Sequence, residues 1–468
     1  MKMSLLSRSV ILCLFILAVS ASLTEKILKI PLFEVGEIWV NSVYKLNERL
    51  INYLWDIVDI YSPVFYLTLS VFIFSAYQIW GLVFRPINRV RILGDLGYLP
   101  DGKFTKKEIA NSVKKRRAFG DIPPIYPNGW YGIVESWRLK NRDSTNVAVL
   151  GEQLAVFRDE KGDSHVLDAY CPHMGANLAV GGRVVGDCIE CPFHGWKFRG
   201  HDGKCTTIPY AEKIPEIARV KAWTSIEING WIYLWYHAEG IEPNWTPQEI
   251  EEIANGQWQY KGRTEHFINS HIEEIPENGA DVAHLKQVHQ PFIAAGIDLV
   301  GMWNKYLSWG QHNWTAAWTQ MPSPDGHIGS LKLTHDLTFF GISLPFVFLN
   351  VHALQIGPGI VYLKFDSFFG KGVFIQSLVP VEPMVQKLVH NIYIHWAVPN
   401  FIAKFFMLGE SIQVERDIMI WNNKKYEAKP VFAKSTEDSL IARHRRWYQQ
   451  FYSEHSPRLK FQKDTLDW

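Results

Sequence analysis

Cysteine is scarce in this sequence, and its scarcity argues against a fold held together by disulfides. Only five cysteines occur in 468 residues, too few and too unevenly spaced for a disulfide framework. A chain of this length can build two or three domains with large cores and needs no covalent staples. The few cysteines therefore indicate a reducing compartment, with metal or thiol chemistry as their expected use.

An excess of charge of either sign is also missing. Lys and Arg total 48 and Asp and Glu total 47, for a formal net charge of +1. A chain without a basic field or a long Lys/Arg block has little to attract nucleic acid, so we expect no nucleic-acid partner. Aromatic residues are abundant by contrast: they make up 14% of the chain and include 19 Trp, which indicates broad apolar surfaces.

Charged residues are absent from one long segment near the N-terminus. Residues 62–84 contain no Asp, Glu, Lys or Arg, and a helix of that length spans a hydrocarbon core of roughly 30 Å. The sequence therefore predicts a transmembrane helix, with a buried core helix as the alternative. An earlier apolar run, residues 10–21, has the length and small-residue end of a signal peptide or signal anchor. A single-pass anchor and a hairpin anchor both remain open.

The charges that flank this segment predict its orientation. Asp56 and Asp59 precede it, whereas Arg85, Arg89 and Arg91 follow it. By the positive-inside rule, the rest of the chain lies in the cytosol. We expect the membrane to be that of the endoplasmic reticulum.

Composition and periodicity divide the chain into five regions and predict an α+β fold. Residues 1–84 form the membrane-targeting region, and residues 85–124 are polar, basic and Gly/Pro-containing, as is typical of a linker at a membrane surface. Residues 125–240 hold short alternating apolar runs that predict an antiparallel β domain. Residues 241–455 mix strands with helical segments around 271–289 and 408–426, which predicts an α+β domain. Residues 456–468 form a tail.

Two short loops in the β domain carry a set of metal ligands. Cys171-x-His173 and Cys191-x-x-His194 each supply one Cys and one His. Zinc sites usually group like ligands together on each arm. A mixed pattern instead suits a [2Fe-2S] cluster, with both thiolates on one iron and both imidazoles on the other. A single zinc remains the alternative.

The α+β domain carries a second candidate site. Glu277, Asp281 and His284 recur at i, i+4 and i+7, which places them on one face of a helix. His289 lies five residues further on, so it can join His284 on one metal only if the helix ends or is distorted between them. Two histidines and one carboxylate are the ligands of non-haem Fe(II) oxygenases. Packing or surface histidines are the alternative.

A third ligand should come from a downstream carboxylate. The string QVERDIMIW offers Glu415 and Asp417, and Asp417 has the apolar helical neighbours Ile420 and Trp421. Asp417 could therefore face inward. A solvated helix carboxylate is the alternative.

These motifs resemble the Rieske non-haem iron oxygenases. The strings CPHMGANL and CPFHGWKF are similar to the Rieske signature, and Ala176 and Phe193 replace the disulfide cysteines of respiratory Rieske proteins. The segment 277–289 resembles the E/N-x₃-D-x₂-H-x₄-H pattern that follows the Rieske domain in the oxygenases, and the family pattern selects Asp417. With the N-terminal anchor and the string QVERDIMIWNNKKY, the chain most resembles the Neverland-type cholesterol 7-desaturases, themselves similar to bacterial 3-ketosteroid 9α-hydroxylases.

The resemblance implies a set of cofactors and roles. Cys171, His173, Cys191 and His194 would bind a [2Fe-2S] cluster, and the second site would bind one Fe(II) that activates O₂. The ligands of this mononuclear iron would be His284, His289 and Asp417. Asp281 would be the catalytic residue that bridges an iron-ligand histidine to a cluster histidine of a neighbouring subunit in a homotrimer. The catalytic domain would have the helix-grip, START-like fold.

The resemblance also implies the reaction. The expected activity is desaturation of a sterol, cholesterol to 7-dehydrocholesterol, in a membrane-anchored enzyme. The sequence contains neither a G-x-G-x-x-G run nor a plant-ferredoxin C-x₄-C-x₂-C motif, so electrons from NAD(P)H would come through a separate reductase. The alternatives are a Rieske monooxygenase that hydroxylates another steroid or lipid and an electron-transfer Rieske protein without catalysis.

Overall fold

A computed structural model describes residues 32–58, 61–98, 102–116, 121–303, 309–344 and 347–459. The chain divides into two compact units, one ending at Val83 and the other beginning at Phe84. The apolar run at residues 10–21 lies outside the described residues, as do Asp59 and the end of the predicted tail.

The first unit contains two helices, α1 (Leu32–Val58) and α2 (Pro63–Phe84). Helix α2 covers almost all of the charge-free segment and begins at a proline, which is favoured at the first helical position because its missing N–H would have no partner there. It has 22 residues, and none of them is buried. Within the described residues it is the one helix long and apolar enough to cross a membrane. The predicted helix is thus present.

The second unit contains, near its start, residues 85–124, which the sequence predicts to be a linker. That prediction is wrong for the part that forms a strand and a helix. Strand β1 (Ile87–Arg91) pairs in parallel with strand β12 (Trp258–Ile268), in the register Ile87 to Gly262. Helix α3 (Lys106–Arg116) follows. A short basic strand such as INRVR shows little alternation, and its pairing partner lies far along the chain. Local patterns therefore did not reveal it.

Three small antiparallel sheets follow and contain the cysteine loops, in agreement with the predicted β domain. Their orders are β3-β4-β5, β6-β7-β8-β9 and β10-β11-β2. The strands are β2 (Gly129–Glu135), β3 (Ser144–Val149), β4 (Glu152–Arg158), β5 (Ser164–Asp168), β6 (Arg183–Val185), β7 (Cys188–Glu190), β8 (Lys197–Arg199), β9 (Cys205–Thr207), β10 (Ser225–Ile228) and β11 (Trp231–Tyr236).

A nine-stranded sheet forms the α+β part of the unit. Its order is β1-β12-β19-β18-β17-β16-β14-β13, with the short strand β15 paired to β14. Strand β1 is parallel to β12, and the other pairs are antiparallel. The strands after β12 are β13 (Gly310–Gln320), β14 (Ile328–Phe339), β15 (Ile342–Ser343), β16 (Leu349–Ile356), β17 (Ile360–Ser367), β18 (Gly370–Glu382) and β19 (Val385–His395).

Four further α-helices belong to this part of the unit. They are α4 (Glu251–Ala254), α5 (Glu274–Glu277), α6 (Asn400–Trp421) and α7 (Thr436–Tyr448). Helix α6 packs on β12. One apolar core joins Leu154 and Ile232 of the small sheets, Leu388 of the large sheet and Ile418 of α6. Burial of this shared surface holds the small sheets and the large sheet together.

Candidate metal centres

The two cysteine loops fold alike. In each loop a glycine four residues after the cysteine donates its N–H to the cysteine carbonyl, Gly175 to Cys171 at 2.9 Å and Gly195 to Cys191 at 3.1 Å. Both glycines have left-handed backbone angles, with φ of 72° and 73°, a conformation that costs glycine nothing. The glycines therefore allow each loop to turn back around its cysteine.

The four predicted cluster ligands lie in two layers. Cys171 and Cys191 are buried, each 2% exposed, whereas the His173 and His194 rings lie toward the surface with their centroids 4.6 Å apart. His173 also stacks on Trp196 at 4.7 Å. Burial raises the pKa of the Cys171 thiol to about 11, and the neighbouring Cys191 thiol adds to the shift. A bound cation would favour the thiolate forms of both.

This arrangement fits a [2Fe-2S] cluster. Two thiols and two imidazoles match the Rieske ligand set, in which two histidines replace two cysteines on one of the two irons. The described cysteines are all free thiols, and Ala176 and Phe193 leave the loops without a disulfide pair. The other two, Cys188 and Cys205, are buried on β7 and β9.

The second predicted site lies on a distorted segment. The sequence suggested helix around 271–289, but the structure has only one α-helical turn, Glu274–Glu277, and then a π-helical turn, Leu285–His289. A π-helix bonds i to i+5, so residues five apart come close to the same face. This distortion is the condition that His284 and His289 needed in order to face one another.

His284, His289 and Asp417 come together in the fold. The Nε2 atoms of His284 and His289 are 3.1 Å apart, and His289 Nε2 lies 3.3 Å from Asp417 Oδ2. One possible ligand atom from each of the three residues falls within 4.8 Å of the others. A metal ion could be held here by two imidazoles and one carboxylate.

Hydrogen bonds fix which ring nitrogens face the site. His284 Nδ1 donates to the Asp281 carbonyl oxygen, and His289 Nδ1 donates to Gln413 Oε1 at 2.8 Å. Gln413 Oε1 also accepts from Arg416 at 3.2 Å, so that oxygen is an acceptor. Both Nε2 lone pairs consequently point into the same space, where they would repel one another without a cation.

The donor set fits a mononuclear metal. Besides the two lone pairs, Asp417 Oδ1 is buried without a hydrogen-bond partner among the described residues. Burial acts to lower the pKa of His289, but the Asp417 carboxylate and the hydrogen bond to Gln413 together outweigh it and raise the pKa. An Fe(II) ion would compensate the Asp417 charge and use these lone pairs.

Sequence reasoning missed two residues that orient this site, Gln413 and Arg416. Arg416 is fully buried and donates to the carbonyls of Val288, Pro291 and Phe292 at 2.8–3.2 Å, which ties α6 to the π-helical segment. Gln413 precedes Asp417 by four residues and therefore shares its helix face. That spacing was the signal that could have identified Gln413.

The other acidic candidates have different surroundings. The Asp281 carboxylate accepts from the backbone N–H of His284 at 3.3 Å, so its carbonyl, rather than its carboxylate, holds the imidazole. Glu277 is bound by Arg445 at 3.1 Å. Glu415 is bound by Arg89 at 2.8 Å and by Arg91 at 3.2 Å. Glu277 and Glu415 are therefore engaged away from His284 and His289.

His284 and Asp417 open onto a cavity of about 190 Å³ between the sheet and α6. Most of its lining is apolar and includes Leu331, Leu363 and Leu388. No Lys or Arg from the described residues lines it. Such a cavity suits an uncharged, apolar substrate.

Comparison with known proteins agrees with this architecture. Residues 129–220 match the Rieske [2Fe-2S] domain, and residues 234–452 match the 3-ketosteroid 9alpha-hydroxylase C-terminal domain. Two solved structures, Pseudomonas putida CBB5 NdmA QL mutant with caffeine and NdmB, each have a TM-score of 0.50 and 16% identity. They cover 69% and 70% of this chain, and the chain covers 89% and 93% of theirs. These structures support the fold alone. Fold and domain order define a Rieske oxygenase.

Curated relatives narrow the class. The chain is 50% identical over 390 residues to a cholesterol 7-desaturase nvd of Xenopus laevis, covering 83% of this chain and 86% of the relative. It is 42% identical over 420 residues to a cholesterol 7-desaturase of Caenorhabditis elegans, covering 88% and 96%. The oxygenase component of a Rhodococcus rhodochrous 3-ketosteroid-9-alpha-monooxygenase is 32% identical, covering 74% and 91%. The chain therefore belongs to the cholesterol 7-desaturase family of Rieske oxygenases.

Proposed function

We propose that this protein is a membrane-anchored oxygenase that desaturates a sterol, converting cholesterol to 7-dehydrocholesterol. The grouping of His284, His289 and Asp417, two of which line an apolar cavity, is the observation that carries this proposal. The names of the curated relatives support the substrate and the bond. Loss of two hydrogens from the sterol, with O₂, two electrons and two protons, gives the alkene and two waters.

The proposed cofactors follow from the two ligand sets. Cys171, His173, Cys191 and His194 would hold the [2Fe-2S] cluster, and the other three residues would hold one Fe(II). When bound, these groups supply single-electron transfer and O₂ activation. The chain's own part is to orient the imidazoles through Gln413 and the Asp281 carbonyl, to exclude water, and to place one C–H bond at the open side of the site.

Electrons would reach the cluster from a separate NAD(P)H-dependent reductase. The sequence contains no dinucleotide-binding G-x-G-x-x-G run, and the Rhodococcus relative is itself named an oxygenase component. The surface position of His173 supports an external electron donor, since transfer is efficient only over short distances.

We also propose a membrane location, an orientation, a catalytic-domain fold and an assembly for this protein. Helix α2 would anchor the protein in the endoplasmic reticulum membrane, and Arg85, Arg89 and Arg91 would keep the second unit cytosolic. The long sheet with α6 packed across it supports the helix-grip description. The exposed His173 and half-buried Asp281 support a head-to-tail homotrimer with electron transfer between subunits.

Asp417→Ala tests the function directly. We expect this variant to lose the mononuclear iron and to form no 7-dehydrocholesterol, because one of three ligands is gone. The Rieske EPR signal should persist, since its ligands lie on other loops. Sterols from expressing cells would be measured by mass spectrometry. Asp336→Ala, an exposed aspartate on β14, is the matched control.

Three outcomes of this test would contradict the proposal. Normal desaturation by the Asp417 variant would exclude Asp417 as a ligand. A hydroxylated sterol as the wild-type product would favour the monooxygenase alternative. An intact Rieske signal with no sterol product from the wild type, even with a reductase and O₂ supplied, would favour electron transfer without catalysis.

A further inference from the structure

A row of polar side chains crosses the sheet wall of the cavity. Across neighbouring strands Gln355 pairs with Val361, Val361 with Gln376, and Gln376 with His390. Gln355, Gln376 and His390 all line the same cavity as His284 and Asp417. These three side chains are called the polar row below.

On β18 and β19 the sheet positions on both sides of the polar row are apolar. Side chains two residues apart on a strand share a face, so Phe374 and Ile392 flank the row on one side. Leu378 and Leu388 flank it on the other. A single polar row in an apolar wall is costly unless its groups are used, because buried polar groups need hydrogen-bond partners.

Each glutamine is held by a buried histidine through its carbonyl oxygen. His444 Nε2 lies 3.2 Å from Gln355 Oε1, and His390 Nε2 lies 2.9 Å from Gln376 Oε1. Burial lowers the pKa of both histidines to about 3, so both are neutral and donate through Nε2–H. With its carbonyl end fixed, each amide directs its NH₂ group away from the histidine.

The free end of Gln355 has no partner in the described part of the chain. Gln355 is only 7% exposed, and its Nε2 is buried without a hydrogen bond. Leaving such a donor unpaired costs roughly 1–3 kcal/mol. The amide lines the cavity, so a ligand oxygen there could accept from it.

The row is also uncharged. The carboxyl oxygen Oε1 of Glu410 lies 3.4 Å from His390 Nε2, and no Lys or Arg of the described residues lines the cavity. A carboxyl group beside the row and the lack of a cation both disfavour an anionic ligand. A neutral set of donors suits a neutral oxygen better than an anion such as a sulfate ester.

We propose that the polar row binds the hydroxyl group of the sterol, with the amide N–H groups of Gln355 and Gln376 as donors. This rests on the proposed function, since a sterol carries one polar group on a rigid apolar body. Because that body is rigid, fixing its hydroxyl also fixes which carbon faces His284 and Asp417. The row thus determines both substrate choice and the bond attacked.

The test compares cholesterol with cholest-5-ene, which lacks the hydroxyl, in the purified holoenzyme. Gln355→Met and Gln376→Met keep the side-chain length and remove the donors, and Gln259→Met, exposed on β12, is the matched control. We expect the wild type and the control to prefer cholesterol. At least one cavity variant should lose about 10- to 100-fold in kcat/KM for cholesterol and less than about 3-fold for cholest-5-ene. New double bonds at other positions would further support the row.

Sterol binding, followed by tryptophan fluorescence, gives a second readout that does not depend on turnover. If a cavity variant binds cholesterol with a weaker preference than the wild type, the proposed role of the row is supported. This holds even if the wild type forms a different product, because that outcome would contradict only the proposed reaction. If both variants keep the wild-type preference for cholesterol over cholest-5-ene, in binding and in turnover, the proposal that the row binds the hydroxyl would be wrong. If Gln355→Met does not load iron, Gln355→Asn, which withdraws the amide by one methylene, replaces it.

Discussion

At the residue scale, the carboxylates of Glu415 and Asp417 are separated by one residue but have different surroundings. Two positions on an α-helix differ by about 200°, so Glu415 and Asp417 face opposite sides of α6. Glu415 faces β1 and β12, where Arg89, Arg91 and His266 surround it. His266 and Arg89 outweigh burial and lower the pKa of Glu415 to about 2. Asp417 faces His289, which leaves it free to act as a ligand.

Gln413 offers a test of the orientation of His289. In Gln413→Met the acceptor for His289 Nδ1–H is lost, so the ring can rotate and its Nε2 is no longer directed at the site. We expect the affinity for the mononuclear iron to fall roughly 10- to 100-fold, as for other partners of metal-bound histidines. Chelator competition would measure it, and the Rieske EPR signal should not change.

The exposed Gln449 provides the control for this prediction. Gln449→Met makes the same chemical change away from the site and should retain wild-type iron affinity. If Gln413→Met also retained it, the hydrogen bond to Gln413 would not orient the ligand.

At the element scale, strand β1 completes the large sheet directly after α2. Only Arg85 and Pro86 separate the two elements. Strand β1 covers the edge of β12 and brings Arg89 and Arg91 to the buried Glu415. The second unit therefore begins at the end of the apolar helix, without a long connecting linker.

Two truncations test the role of β1. A chain starting at residue 85 should fold, bind both metal centres and leave the membrane fraction, because only α1, α2 and the segment before them are removed. A chain starting at residue 93 also loses β1, which exposes the β12 edge and leaves Glu415 without its arginines. We expect the free energy of unfolding to fall by about 2–4 kcal/mol. This loss is smaller than that for a fully buried ion pair, because both arginines are partly exposed.

Thermal melting, soluble yield and membrane pelleting would measure these effects. Glu415→Gln in the longer chain should give part of the same destabilisation without exposing the edge. Equal stability of the two truncated chains would mean that β1 is dispensable, and continued pelleting of the longer one would mean that α2 is not the sole anchor.

At the scale of the whole molecule, the two metal centres of one chain need an electron path. We expect this path to run between subunits. It would start at the cluster of one chain and pass to Asp281 and His284, which both belong to the next chain. Asp281→Asn should then retain both centres but lose turnover, because the path is interrupted. The Asp281 carboxylate also accepts from the backbone N–H of His284, which an asparagine can still do.

Mixed oligomers give the sharper experiment. Chains with His173→Ala lack a working cluster, and chains with His284→Ala lack the mononuclear iron, so neither should desaturate alone. Co-expressed with different tags and purified through both, the mixture should recover part of the activity. No recovery in doubly tagged oligomers would show that each chain passes electrons within itself.

The sequence by itself determined the chemistry of this protein, because its ligands lie in short, local patterns. The Cys-His loops favoured a [2Fe-2S] cluster over a single zinc, the charge-free segment predicted α2, and the spacing from Asp281 to His289 pointed to a metal. It even showed that His284 and His289 required a distorted helix. Only tertiary structure decided that β1 belongs to the sheet and that Gln355 and Gln376 share a row. It also placed Asp417, which the family resemblance had selected over Glu415, beside His289. Each of these depends on pairing or packing between residues far apart in the chain, which no local pattern encodes.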